Sequence, residues 1–211
     1  MADSDVHESS AAGDPESVSA ELEGWLAKEG PRTLGSLNEL FGQKSFAIAF
    51  VLLLGVPALP LPTGGATHVF EIVASLLALQ LIVGREEIWL PRRWRGLDLG
   101  GPRQQRFLRG LIGLIRRLER ISKPRFRFLF GHRLSNLVFG VLVVGGSAAA
   151  FLAPPFTGLD TLPALGVVLL SLAVLLEDIA IVVAALVVGI CGVALEILLG
   201  AALIDAVSGL L

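Results

Sequence analysis

Cysteine occurs once in the 211 residues and histidine three times, and two long tracts carry no lysine or arginine at all. The lone Cys191 sits in an apolar run, which excludes an intrachain disulfide or metal–thiolate framework and leaves it as a small packed side chain. His7, His68 and His132 are too few for a histidine-rich metal site within one chain. No glycine-rich phosphate loop follows a strand, and no nucleophile–base–acid set stands out. Neither a metal, a cofactor nor an enzymatic activity is therefore expected. The opening residues also lack the basic start and apolar run of a signal peptide. Asp3, Asp5, Glu8, Asp14 and Glu16, among serine, alanine and glycine, mark residues 1–20 as an acidic, disordered tail.

All seventeen bases fall in two places. Lys28, Arg32 and Lys44 come first, fourteen more lie between Arg85 and Arg133, and residues 45–84 and 134–211 have none. With 54% hydrophobic residues and a mean hydropathy of +0.74, the chain has the size of one ordinary domain but is much more apolar than a soluble one. Lipid is its expected solvent. Four acids, Glu86, Glu87, Asp98 and Glu119, stand against the fourteen bases of the middle segment, a net charge of about +10. The positive-inside rule places that segment in the cytoplasm.

Leu40-Phe41-Gly42 recurs 89 residues on as Leu129-Phe130-Gly131, and each copy is followed two residues later by a base, Lys44 or Arg133, and then an apolar run. Each run meets a proline-rich break, with Pro57, Pro60, Pro62 and Thr63-Gly64 in the first copy and Pro154, Pro155 and Thr157-Gly158 in the second. A second apolar run follows and ends in acids, Glu86-Glu87 and Glu177-Asp178, 91 residues apart. This preserved order predicts an internal duplication of Pro/Gly-broken helical hairpins, against the plainer alternative of two unrelated hairpins. Residues 21–95 form the first membrane repeat with an amphipathic lead, 96–128 the basic linker, and 129–211 the second repeat with a C-terminal helix.

Spanning a hydrocarbon core takes about 20 helical residues, with a range of roughly 17–25. Residues 45–61 and 66–83 just reach that length, whereas 134–153 and 162–176 are cleaner apolar runs. Residues 179–211 exceed one perpendicular span and read as a helix to about residue 197, with a change marked by Glu196 and Gly200. The expected fold is all-α, a polytopic helical membrane protein. An even number of crossings before the linker makes the repeats parallel, an odd number makes them inverted, and the first hairpin is either spanning or re-entrant.

Within residues 104–122, Leu108, Leu111, Ile112, Ile115 and Leu118 recur at three- and four-residue steps, with Arg106, Arg109, Arg116, Arg117 and Arg120 around the stripe. The pattern predicts an interfacial amphipathic helix, its apolar face about 5–10 Å down and its arginines meeting anionic lipid head groups. Pro124 stops it. Arginine clusters also bind nucleic acid, but membrane runs on both sides argue against that partner.

A charged side chain within a bilayer costs about 2.5–3.5 kcal/mol, so a persisting acid faces a cavity or a partner. His68 and Glu71 share a helical face just after the Thr63-Gly64 break, suited to a proton, a cation or a polar head group. A hydrogen-bonded pair near the interface is the plainer reading. Glu177 and Asp178 open the last helix and favour its dipole, and Glu196 has no evident partner. The candidates for a substrate or ion pathway are thus Pro60, Pro62, Thr63, Gly64, His68, Glu71, Gln80, Pro155, Thr157, Glu177, Asp178 and Glu196.

Pro57-x-x-Pro60-Leu61-Pro62-Thr63-Gly64, Leu79-Gln80-x-x-x-Gly84-Arg85 and Trp89-Leu90-Pro91 stand in the first half. Pro155-Phe156-Thr157, Leu162-Pro163-Ala164, Leu169-Leu170-Ser171-Leu172 and Glu177-Asp178 stand in the second. In this order the chain resembles the ExoD family of bacterial exopolysaccharide-synthesis membrane proteins over about residues 30–199. It departs from the family at Ile179, where glycine is usual after the acid. The resemblance implies a role in exopolysaccharide production and residence in the bacterial inner membrane, with a polysaccharide or lipid-linked precursor as a possible partner.

Corresponding Pro/Gly interruptions in a duplicated membrane protein point to a binding site, and a transporter-like protein is the expected function. The alternative is a non-transporting scaffold that recruits polysaccharide enzymes through its arginines. The small residues from Gly145 to Ala150 suit a homo-oligomer, or packing within one chain.

Overall fold

The computed structural model describes residues 17–28, 30, 33–42, 44–59, 67–85, 87–89, 91, 101–122, 132–153 and 158–208. Among these the chain is all-α, with eight helices and no strand. They are α1 (Val18–Ala27), α2 (Leu34–Phe41), α3 (Lys44–Leu54), α4 (His68–Ile82), α5 (Pro102–Ile121), α6 (Arg133–Leu152), α7 (Thr161–Leu176) and α8 (Ile179–Ser208).

Local chemistry sets the helix ends. Ser17 caps α1 by accepting from the Ala20 N–H at 3.3 Å, so α1 begins inside the segment read as a tail. Thr33 and Ser36 form a reciprocal capping box on α2. Pro102 opens α5 and Pro163 sits in the first turn of α7, where a missing N–H costs no helical bond.

The first apolar run does not fill its expected length. It is predicted to reach residue 61, but α3 ends at Leu54. Pro57 lacks an N–H, and the chain loosens into turns in which the Gly55 N–H donates to Val51 O and the Leu59 N–H to Val56 O. At 11 residues, α3 is about 16 Å long, far short of a hydrocarbon core of about 30 Å. The last helix departs in the other direction. α8 runs unbroken through Glu196 and Gly200 for about 45 Å, because one interior glycine costs a helix only about 1 kcal/mol. Among the described residues, α6 and the stretch Ile179–Ala202 of α8 are the helices long and apolar enough to cross a membrane.

α3 and α7 form the centre. Every residue of α3 from Ser45 to Val51 is buried, and so is most of α7. α4 packs on α3 and α6, α7 packs on α3 and α6, and α8 lies along α7. The ends align by contact. Lys44 Nζ, at the start of α3, lies 3.7 Å from Glu177 Oε1, just past the end of α7. The His68 ring at the start of α4 meets Phe151 near the end of α6 at 4.9 Å. One end of the bundle thus collects Lys44, Gly84, Arg85, Arg133 and Glu177, and the other holds His68, Leu152 and Asp160. Ile72, Leu76, Val138, Val141, Val187 and Ile190 point outward from α4, α6 and α8 and give the bundle an apolar exterior.

The α7–α8 contact is backbone on backbone. A Cβ added at Gly166 would stand 2.7 Å from Gly189 Cα, closer than any side chain allows. The small-residue patch of α6 divides between two directions. Ser147 and Ala150 are buried and Gly146 faces Val167 of α7, whereas Gly145 has open space beside it.

α5 matches the predicted amphipathic helix in register, and protein covers part of its apolar face. Leu108, Leu111, Ile112 and Ile115 are 2%, 7%, 3% and 0% exposed. α5 packs on α1 and α7, which cover these four residues, while Leu114 and Ile121 stay exposed. The Ser19 backbone N–H and hydroxyl both donate to Glu119, at 3.1 and 2.5 Å, and Arg116 pairs with Glu23. The periodicity identified an apolar face; α1, far away in sequence, supplies much of its cover.

Candidate functional site

The described residues concentrate buried polar chemistry at the end of the bundle away from the bases. Glu71, in the first turn of α4, is 1% exposed. Its Oε2 bonds His68 Nδ1 at 2.8 Å, and its Oε1 has no hydrogen-bond partner among the described residues. Phe151 of α6 fixes the imidazole from the side, ring planes at 62°.

Two more acids reach this place from other elements. Asp160 immediately precedes α7 and interacts electrostatically with Glu71, while Glu196 of α8 interacts with both. Glu196 Oε1 and Ser147 Oγ are buried without a hydrogen-bond partner. The N-terminal ends of α4 and α7 both point here, and their partial positive charge favours the two acids nearest them. Glu196, mid-helix in α8, has no such support.

Buried polar atoms are nearly always hydrogen-bonded, so these unpartnered oxygens among the described residues of an apolar bundle form a strong exception. Three acids against one imidazole provide acceptors for a proton, a monovalent cation or a donor-rich head group. Among the described residues no group of three His, Cys, Asp or Glu side chains stands at metal-ligating spacing.

Of the residues singled out from the sequence, His68, Glu71 and Glu196 come together here. Pro60, Pro62, Thr63, Gly64, Pro155 and Thr157 lie outside the described residues. Glu177 and Asp178 lie at the opposite end and have structural roles: Glu177 ends α7 at φ 53°, and Asp178 accepts from the Ala180 N–H and the Ser122 hydroxyl, both at 2.9 Å. Gln80 is a clamp, accepting from the Trp89 N–H at 2.8 Å and donating to Trp89 O at 3.4 Å. Asn38 treats the adjacent Ile88 the same way, at 3.2 and 3.4 Å. Two side-chain amides thus grip consecutive residues of the segment after α4, which gives the Gln-x-x-x-Gly-Arg…Trp-Leu-Pro signature a folding role.

Asp160 was not singled out in the sequence, and Ser147 was noted only as part of the small-residue patch. Asp160 does carry a signal, since it follows Thr157-Gly158 as His68 and Glu71 follow Thr63-Gly64. Of the arginines, Arg109 donates to Gln105 at 3.1 Å, Arg117 and Arg120 are exposed, and Arg106 borders a cleft beside α3.

The family described as "Exopolysaccharide synthesis, ExoD" matches residues 18–198. An uncharacterized protein of Synechocystis sp. (strain ATCC 27184 / PCC 6803 / Kazusa) is 33% identical over 153 residues, covering 71% of this chain and 71% of that protein. Protein ExoD of Rhizobium meliloti (strain 1021) is 28% identical over 166 residues, covering 77% of this chain and 68% of its own length. No solved structure matches the chain.

Proposed function

The chain belongs to the ExoD exopolysaccharide-synthesis family, and from that premise we propose that it is a multi-pass inner-membrane protein with a transporter-like polar site. The observation that carries the reading is Glu71, fully enclosed with one carboxylate oxygen on His68 and the other unpartnered among the described residues, in electrostatic interaction with Glu196, whose Oε1 is also buried and unpartnered. A charge enclosed in an apolar bundle at that cost marks a place where something polar binds or passes.

The sorting of charge supports the topology. Lys44, Arg85 and Arg133 at one end of the bundle suit the cytoplasm, where the basic linker belongs, and Glu71, Asp160 and Glu196 lie toward the other end. Parallel internal repeats are supported by two symmetric contacts. Phe50 and Phe139, which share the 89-residue offset of Lys44 and Arg133, touch edge to face at 5.6 Å, as equivalent residues beside a pseudo-two-fold axis would. Lys44 meets Glu177 at the end of α7, and the Arg133 guanidinium lies 3.3 Å from the Cβ position of Gly84 at the end of α4. Each half thus sets its leading base against the helix end of the other half.

The test is flux in proteoliposomes under an imposed proton gradient, with sugar-phosphate and lipid-head-group probes. Wild type should move protons or a probe, and Glu71→Gln and Glu196→Gln should each lower the rate at least tenfold while the protein stays folded. Background flux from folded wild type would overturn the transport reading.

The exposed Arg109, Arg117 and Arg120 on α5 favour a second reading, a scaffold that recruits polysaccharide enzymes. In that case reversing these charges abolishes polymer production in cells, and Glu71→Gln leaves it intact.

A further inference from the structure

A cleft of about 800 Å³ runs between the end of α3, the N-terminal half of α5 and α7. It lies within the range of ligand sites, roughly 300–1,000 Å³. Its walls are hydrocarbon, with Val51 and Leu59 from the α3 side, Leu111 and Leu114 from α5, and Leu165 and Val168 from α7. Among the described residues, Arg106 is the charged one that lines it, and no acid does. The cleft exists because α5 is anchored further along, by the Ser122–Asp178 bond and by α1, and stands off from α3 where it begins.

The cleft is open and mostly apolar, so in a bilayer the material at hand to fill it is an acyl chain. An arginine at its edge then needs an anion, and the guanidinium fork matches phosphate oxygens. We infer that the cleft binds one anionic phospholipid of the surrounding bilayer, its chain between Val51, Leu111 and Val168 and its phosphate on Arg106. The inference rests on membrane residence and not on transport, so absence of flux leaves it standing.

Gly110 gives a direct test. It lines the cleft, and a Cβ added there meets nothing within 4 Å, so a larger side chain occupies the cleft without displacing the helix. The full-length protein, delipidated in detergent, is titrated with phosphatidylglycerol, phosphatidylethanolamine or a polyprenyl phosphate and read by native mass spectrometry. Wild type should retain one phosphatidylglycerol about tenfold better than phosphatidylethanolamine, whose ammonium offsets the phosphate charge that Arg106 meets. Arg106→Gln should bring that ratio to about one, and Gly110→Leu should abolish retention of both lipids with the circular dichroism unchanged. Equal retention of the two phospholipids by wild type, or a wild-type preference in Arg106→Gln, overturns the inference. So does tighter retention of the polyprenyl phosphate, which would make the cleft a carrier-lipid site. Arg106 is exposed, so its variant keeps the test decisive even where Gly110→Leu fails to fold.

Discussion

Two helices of the bundle end on left-handed residues, Gly84 at φ 90° after α4 and Glu177 at φ 53° after α7. Glycine takes that conformation freely, whereas glutamate gives up roughly 1–2 kcal/mol to do so. Glu177 remains compatible with the fold through its side chain, which reaches Lys44 at 3.7 Å. Glu177→Gly and Glu177→Ala both remove that ion pair, and only glycine relieves the backbone. We expect Glu177→Gly to be the more stable variant by about 1 kcal/mol in chemical unfolding from detergent micelles. Equal stabilities would show that the strain is taken up elsewhere. At this scale the sequence was half legible. A lone acid in an apolar run draws notice, which brings out Glu71 and Glu196. Asp160 sits among loop residues where acids are ordinary, and the clamp by Asn38 depends on Ile88, fifty positions away.

Helices α5, α6 and α7 begin and end within two residues of where their apolar periodicity and prolines place them. What they face was not legible, because a periodic stripe reports that one side is apolar and not whether lipid or protein covers it. Part of the stripe of α5 went to protein since α1 and α7 were there to receive it. α3 falls short for a local reason, Pro57, that hydropathy alone ranks below length. The α7–α8 contact makes a sharper element-scale claim. Gly166→Ala should cost about 1–3 kcal/mol, the usual penalty for overpacking, because the added methyl meets backbone that cannot swing aside. Gly145→Ala on α6, with open space beside it, should be neutral or stabilising by up to about 1 kcal/mol. Thermal unfolding of the two variants side by side checks the contrast.

The whole molecule has a direction. In a Cys191→Ser background, Ser17→Cys and Arg85→Cys should react with an impermeant maleimide only after the inner membrane is opened, and Ser208→Cys should react in intact spheroplasts. Labelling of Arg85→Cys from outside would invert the topology and remove the charge-sorting argument. The apolar character of the chain and the repeated order of its motifs were plain in the sequence, because composition and motif order survive without coordinates. The central position of α3 was not, because its burial is completed by α7, from the other half of the chain. That order of synthesis matters to the cell. α3 leaves the ribosome too short to be accepted as a spanning segment by itself and before the surface that will enclose it has been made. On the multi-pass reading proposed above, the first half waits in an unfinished state until the second arrives, and a chain truncated before α7 is expected to be degraded and not to work as a smaller protein.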